Sequence, residues 1–390
     1  MQSTGVLETA KATNPLRDLQ TFGQSVWLDY IRRDLFTTGE LKRLIEEDGL
    51  RGMTSNPTIF EKAIADSNLY DDVLTSLQSK PDLDTKARFE VLAIRDIQDA
   101  ADALRPVYES SKGRDGYVSL EVDPNLARDT QATIEEARWL WKSVDRPNIM
   151  IKVPGTAEGI PAFQQLISEG LNINVTLLFS QDVYSKVAEA YITGLEQLAA
   201  RGGDVSRIAS VASFFISRID TSIDAIAATR LKTARDEKEI AQLKAIQGKV
   251  AIANGKQTYQ RYLKIFSGDR WNKLAARGAK TQRVLWASTS TKNPAYRDVL
   301  YVEELIGPDT VNTIPPATFN AFRAHGRTRA SLTENVAEAD QTMQTVSSLG
   351  ISMKEVTDKL TDDGVRLFAE AFDKLLAAVE KRSRLQGNSR

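Results

Sequence analysis

Eight short apolar runs, each followed by a stretch of helical character, constrain this fold more than any other feature of the chain. The runs lie at 25–29, 52–56, 117–123, 149–153, 173–179, 208–215, 284–288 and 310–314. The segments between them show helical spacing of apolar residues and good helix formers, as at 41–47, 131–141 and 162–169. Eight strand-then-helix units predict an α/β fold, a (β/α)8 TIM barrel, over an open sheet. A length of 390 residues often means two domains, but a barrel with insertions can use it as one. The expectation is therefore a single barrel domain over 1–390. Residues 220–283, between the sixth and seventh runs, are rich in Lys, Arg, Ala and Gln and read as a helical insertion. Residues 317–390 read as a C-terminal helical extension, and the apolar spacing at 369–379 predicts packing on the barrel.

Two scarcities exclude much chemistry. There is no cysteine, so thiolate nucleophiles, disulfides and cysteine-held metals are out. There is one histidine, His325, so multi-histidine metal sites are out as well. Its setting, Arg323-Ala324-His325-Gly326-Arg327, reads as a polar surface segment. A net charge of −1 favours neither nucleic acid nor an anionic membrane. No stretch approaches the roughly 18 apolar residues that span a bilayer. Residues 1–15 lack an apolar signal core, and a cytoplasmic location is expected. Neither a Walker A sequence nor a helix-opening Gly-rich fingerprint is present. No cofactor and no metal are expected. What remains is lysine and carboxylate chemistry.

Lys152 is the lysine to weigh. It interrupts the apolar run Ile149-Met150-Ile151-Lys152-Val153. A buried ammonium is costly, and a neutral lysine amine condenses with carbonyl compounds. A lysine that snorkels to water from a strand end is the plain alternative. Strand parity bears on the choice, because side chains alternate faces with period two. Ile149, Ile151 and Val153 oppose Met150 and Lys152; Val118, Leu120 and Val122 oppose Ser119 and Glu121; Ile173, Val175, Leu177 and Phe179 oppose Asn174, Thr176 and Leu178. Outer barrel faces pack on helices, so the polar sets point into the lumen. Half-exposed strands with loose alternation are the other reading. Asp29, Asn56, Glu121, Lys152, Thr176, Ser213 and Ser288 then gather at the strand C-termini, where barrel enzymes place catalysis. A lysine, two carboxylates and hydroxyl and amide donors suffice for Schiff-base carbonyl chemistry. They also suffice for a structural ion pair.

Five segments resemble the transaldolase family in order and spacing across roughly 20–320. They are Gly52-Met53-Thr54-Ser55-Asn56-Pro57-Thr58-Ile59-Phe60, Ser119-Leu120-Glu121-Val122-Asp123-Pro124, Ile149-Met150-Ile151-Lys152-Val153-Pro154, Asn172-Ile173-Asn174-Val175-Thr176-Leu177-Leu178-Phe179-Ser180 and Ser213-Phe214-Phe215-Ile216-Ser217-Arg218-Ile219-Asp220. The length is similar to the longer subgroup of that family. The resemblance implies a transferase of the pentose phosphate pathway. It would move a dihydroxyacetone unit from sedoheptulose 7-phosphate or fructose 6-phosphate to glyceraldehyde 3-phosphate or erythrose 4-phosphate. It implies that Lys152 forms the Schiff base, Asp29 takes the C4 hydroxyl proton, and Glu121 and Thr176 hold a proton-shuttling water. Asn56, Asn174 and Ser213 would hydrogen-bond the dihydroxyacetone unit, Phe215 would line the pocket, and Arg218 and Ser288 would bind phosphate. One departure concerns the phosphate end. The family often has an arginine two residues beyond the strand-seven serine, and this chain has Ser290. Lys292 either supplies the missing cation or is a solvated surface lysine. A class I fructose-6-phosphate aldolase and a non-catalytic sugar-phosphate-binding barrel are the alternatives. Sugar phosphates are the expected partners, and monomer and homodimer are both open.

Overall fold

The computed structural model describes residues 14–80 and 82–387. Eight parallel strands close into one barrel in chain order. They are β1 (Gln24–Asp29), β2 (Gly52–Thr54), β3 (Tyr117–Glu121), β4 (Ile149–Pro154), β5 (Ile173–Leu178), β6 (Ser210–Phe215), β7 (Arg283–Ala287) and β8 (Thr310–Ile314). Closure comes from β1 pairing with both β2 and β8, as in Asp29 opposite Thr54 and Leu28 opposite Ile314. The (β/α)8 fold expected from the eight runs is the fold observed. β2 is shorter than its apolar run because the chain turns at Asn56, whose side-chain oxygen accepts from the Ile59 amide at 3.1 Å. That bond caps the helix Pro57–Ala65, and Pro57 fits its first turn.

The lumen is packed rather than open. The Trp27 indole fills it beside β2, where a Cβ on Gly52 would meet the ring at 2.5 Å. At the N-terminal end Arg283 donates to Ser25 Oγ at 2.8 Å, to Asp115 Oδ1 at 2.9 Å and to the Arg114 carbonyl at 2.6 Å. Ser25 in turn donates to Asp115 Oδ2 at 2.7 Å, and the Trp27 indole N–H to Oδ1 at 3.3 Å. Further hydrogen bonds thus support both members of this buried ion pair, which offsets part of its desolvation.

β5 departs from the alternation read in the sequence. Its register against β6 shifts between Val175 and Leu178, and Leu177 takes a left-handed backbone with φ of 61°. Leu178 then pairs with Phe214 on the outer side instead of sharing the lumen with Asn174 and Thr176.

Between β6 and β7 run the helices Ser217–Leu231, Glu237–Ile246, Val250–Ile265 and Asp269–Ala275. Lys249, at the start of the third, supplies no side-chain cap. Asp220 caps it from the first helix, accepting from the Ala251 amide at 2.7 Å. The C-terminal helix Met353–Gly387 lies across the barrel mouth, touching β5, the helix after β6 and the helix Pro57–Ala65. Phe372 meets Phe89 edge-on at 5.8 Å, and Arg382 donates to the Ala65 carbonyl at 2.9 Å. Gly364 sits against Leu177, whose Cδ2 would be 2.8 Å from an added Cβ. Among the described residues no helix is long and apolar enough to cross a membrane.

Candidate active site

At the C-terminal ends of the strands lies a cleft of about 580 Å³, with Lys152, Asp29 and Thr176 in its wall. Strand geometry brings the lysine there. Lys152 stands opposite Glu121 on β3 and Asn174 on β5, so all three share the inner face. Its amine donates to Glu121 Oε2 at 3.2 Å and to the Ser55 carbonyl at 2.9 Å, with the residue only 5% exposed. The Lys152 side chain does not snorkel to water: it is buried and aimed at the cleft.

Two carboxyls flank it. Burial pushes Glu121 above the ordinary glutamate range, against the pull of Lys152. Burial likewise raises Asp29, opposed by the Lys152 charge, a Thr54 hydrogen bond and the Lys292 charge. Thr54 Oγ1 donates to Asp29 Oδ1 at 2.7 Å and lies 2.6 Å from Thr313 Oγ1. With the Thr54 proton committed to Asp29, Thr313 is the donor of the second bond. A two-hydroxyl chain from β8 through β2 therefore orients the carboxylate at the end of β1.

Thr176 lines the cleft with a buried hydroxyl that has no protein partner among the described residues. Such a hydroxyl is suited to hold a water or a substrate oxygen. Ser213 and Asn56 also line the cleft. Asn174 does not: it is fully buried, takes a hydrogen bond from Ser213 at 2.6 Å and donates to Ser119 at 3.1 Å. The structure thus puts Asn174 beneath the floor, holding Ser213, rather than at the cavity surface.

The far wall is cationic. Arg218 has no ion pair among the described residues and lies 5.3 Å over the Phe215 ring. Burial lowers it from the usual arginine value. Lys292 lines the rim and donates to Ser290 Oγ at 2.8 Å; partial burial and the Arg218 charge hold it below the usual lysine range. Ser288 joins them from a left-handed backbone, φ 56°, that β7 adopts as it leaves the barrel. A guanidinium with no ion pair among the described residues, beside a lysine and hydroxyls, has the chemistry to hold an anion such as phosphate. The side-chain hydroxyl of Ser290 thus orients Lys292, and both line the cleft.

Among the lining residues that escape the sequence reading are Thr54, Thr313, Lys62 and Phe368. Thr54 was within reach, since it lies in the Gly52–Phe60 motif and pairs with Asp29. Phe368 comes from the C-terminal helix, and its ring centre is 5.9 Å from the Lys152 amine. His325 is exposed and 2.9 Å from Asp298, a partner not foreseen, with no nucleophile beside it. Among the described residues no group of three or more His, Cys, Asp or Glu gathers as a metal site.

The model of a family described as transaldolase/fructose-6-phosphate aldolase matches residues 26–379. A protein named transaldolase from Trichodesmium erythraeum is 48% identical over 374 residues, 95% of this chain and 98% of that protein. Transaldolase 2 of a Nostoc species is 49% identical, over 96% of this chain and 99% of its own. A transaldolase of Thiobacillus denitrificans is 46% identical, over 94% and 99% respectively.

Proposed function

The chain belongs to the transaldolase/fructose-6-phosphate aldolase family, and from that premise we propose that it is a transaldolase working through a Schiff base on Lys152. The observation that carries this reading is the buried Lys152 amine set between Glu121 and an open cleft that also holds Arg218, which has no ion pair among the described residues. A ketose phosphate fits that polarity, with its C2 carbonyl at the lysine and its phosphate at Arg218, Ser288 and Lys292.

Attack by the neutral amine on C2 gives a carbinolamine. Its hydroxyl must leave as water, which needs a proton, and Glu121 is the carboxyl nearest the nitrogen, at 3.2 Å. A water on the free Thr176 hydroxyl would carry protons between Glu121 and the leaving oxygen. Asp29, on the opposite side of the cleft wall, then takes the C4 hydroxyl proton. The C3–C4 bond breaks, the aldose phosphate departs, and the electron pair enters the lysine-bound unit as an enamine. Ser213, held by Asn174, and Asn56 are placed to hydrogen-bond that unit. An acceptor aldehyde reverses the sequence: the enamine carbon attacks, and protonated Asp29 returns its proton to the new alkoxide. Phosphorylated substrates do not cross bilayers, which supports a cytoplasmic site of action.

Borohydride reduction in the presence of fructose 6-phosphate tests the nucleophile. The expected result is a covalent mass gain mapped to Lys152 and absent from Lys152→Met. Full turnover by Lys152→Met would overturn the assignment.

A further inference from the structure

Phe368 is the part of the cleft that the reaction above leaves unused. It lies on the helix Met353–Gly387, remote in sequence from every strand, and yet its ring centre is 5.9 Å from the Lys152 amine. The residue is only 6% exposed. Its position is fixed from both sides. Upstream, Gly364 lets the helix descend onto Leu177, the left-handed residue of the β5 bulge. A four-residue step later the helix presents Phe368 to the lysine, and a further step brings Phe372 against Phe89. The bulge, the glycine and the Phe372–Phe89 contact therefore hold one phenyl ring over the nucleophile.

We propose that Phe368 is a specificity-determining residue that keeps water from the Lys152-bound enamine and so favours transfer over release. This rests on the Schiff-base reading of the cleft. The enamine has two fates. Its carbon can attack an acceptor aldehyde, forming a C–C bond while Asp29 protonates the new oxygen; water then hydrolyses the new C=N⁺, freeing the ketose product and the lysine amine. Alternatively its carbon takes a proton from water; water then adds to the resulting C=N⁺, and dihydroxyacetone leaves as the lysine amine is regenerated. Both fates end with water adding to the C=N⁺ carbon, but only the second needs water to deliver a proton to the enamine carbon, which is two bonds from the nitrogen that Phe368 covers. The ring removes water there without supplying a proton donor of its own. It also presents its π face or edge region near a centre that becomes cationic as an iminium, within the range of a cation–π contact. Arg218, at which an acceptor's phosphate would be held, lines the same cleft.

The test compares two rates in Phe368→Ala, Phe368→Leu and the parent. One is dihydroxyacetone release from fructose 6-phosphate alone; the other is transfer to glyceraldehyde 3-phosphate. Phe368→Ala is expected to raise the ratio of release to transfer about tenfold, equivalent to ~1.4 kcal/mol between the two barriers. Phe368→Leu, which keeps an apolar cover, is expected to lie between alanine and parent. Should the alanine variant fail to fold, the leucine variant decides alone, with a ratio at least about twofold above the parent. Ratios within twofold of the parent in every folded variant would overturn the proposal. Borohydride trapping of the parent is run alongside. A parent that is not trapped defeats the Schiff-base reading itself, whereas a trapped parent with unchanged ratios defeats only the role of Phe368.

Discussion

Asp29 and Glu121 are buried carboxyls that share one lysine, and burial raises both. Their contacts separate their tasks. Glu121 touches the lysine amine, whereas Asp29 is held by the Thr54–Thr313 hydroxyl chain and faces Lys152, Lys292 and Glu121 only at longer range. A base that must be ionised loses activity as pH falls through its own titration. The acid limb of kcat/KM should therefore lie above the ordinary carboxylate range. The Thr54 hydroxyl donates to the ionised form and opposes that rise. Thr54→Val should move the acid limb upward by roughly one pH unit, the size of one hydrogen bond to a charged group. A pH profile in which the limb stays put or falls would show that Thr54 does not tune Asp29. Asp29→Asn should lower transfer by about a hundred- to ten-thousand-fold, the usual contribution of a general base. The same change should raise the melting temperature near neutral pH. A carboxyl raised in the fold contributes stability below its unfolded value and loses it as pH rises through the folded one. Unaltered or reduced thermal stability in a correctly folded Asp29→Asn would contradict the burial argument.

At the scale of elements, the helix Val250–Ile265 begins without a side-chain cap of its own and borrows Asp220. Tyr301 donates to the other Asp220 oxygen at 2.9 Å, and no cation pairs with it among the described residues. Burial pushes this carboxyl up from 3.8 to about 7. The fold then holds a proton that the unfolded chain has released between those values. Its stabilising share is complete below the unfolded value and is lost as pH rises through about 7. Asp220→Asn keeps an acceptor for the Ala251 amide and removes the charge. It should raise the melting temperature by several degrees at about pH 8 and change it little at about pH 4. Equal shifts at both pH values would assign the effect to packing instead. This cap was not legible in the sequence. Asp220 reads as part of a strand-six motif, and nothing local says that it serves a helix thirty residues onward. The barrel strands were legible because a period of two is a local signal, as in Ser119 and Glu121 against Leu120 and Val122. The β5 bulge was not, because Leu177 and Leu178 carry the same side chain and a one-residue shift leaves the pattern unchanged. Phe368 escaped for a third reason. Its helical spacing fits core packing, and which surface a distant helix covers is decided by contacts such as Gly364 on Leu177.

At the scale of the whole molecule the two ends of the barrel hold opposite kinds of charge arrangement. The C-terminal mouth keeps Arg218 beside open volume with no ion pair among the described residues, as the proposed anion site requires. The N-terminal end keeps Arg283 in a closed set of bonds with Asp115, Ser25 and the Arg114 carbonyl. Both guanidiniums lie beside the lumen, so sequence type alone could not assign one to substrate and the other to structure. The difference lies in partners. A buried cation paired with a carboxylate contributes to the fold, and one left without a carboxylate is available to a ligand. The assignment has a thermodynamic consequence. Asp115→Ala would strand the buried Arg283 charge and should cost about 3–5 kcal/mol of stability. Because this cluster sits at the opposite end of the strands from Lys152, the surviving folded enzyme should keep its KM and its borohydride-trapped lysine. Denaturant unfolding, read with kinetics at a temperature where the variant is still folded, checks both halves. A large loss of substrate affinity without loss of stability would mean that the N-terminal cluster acts on the site, and the division between the two barrel ends would fall.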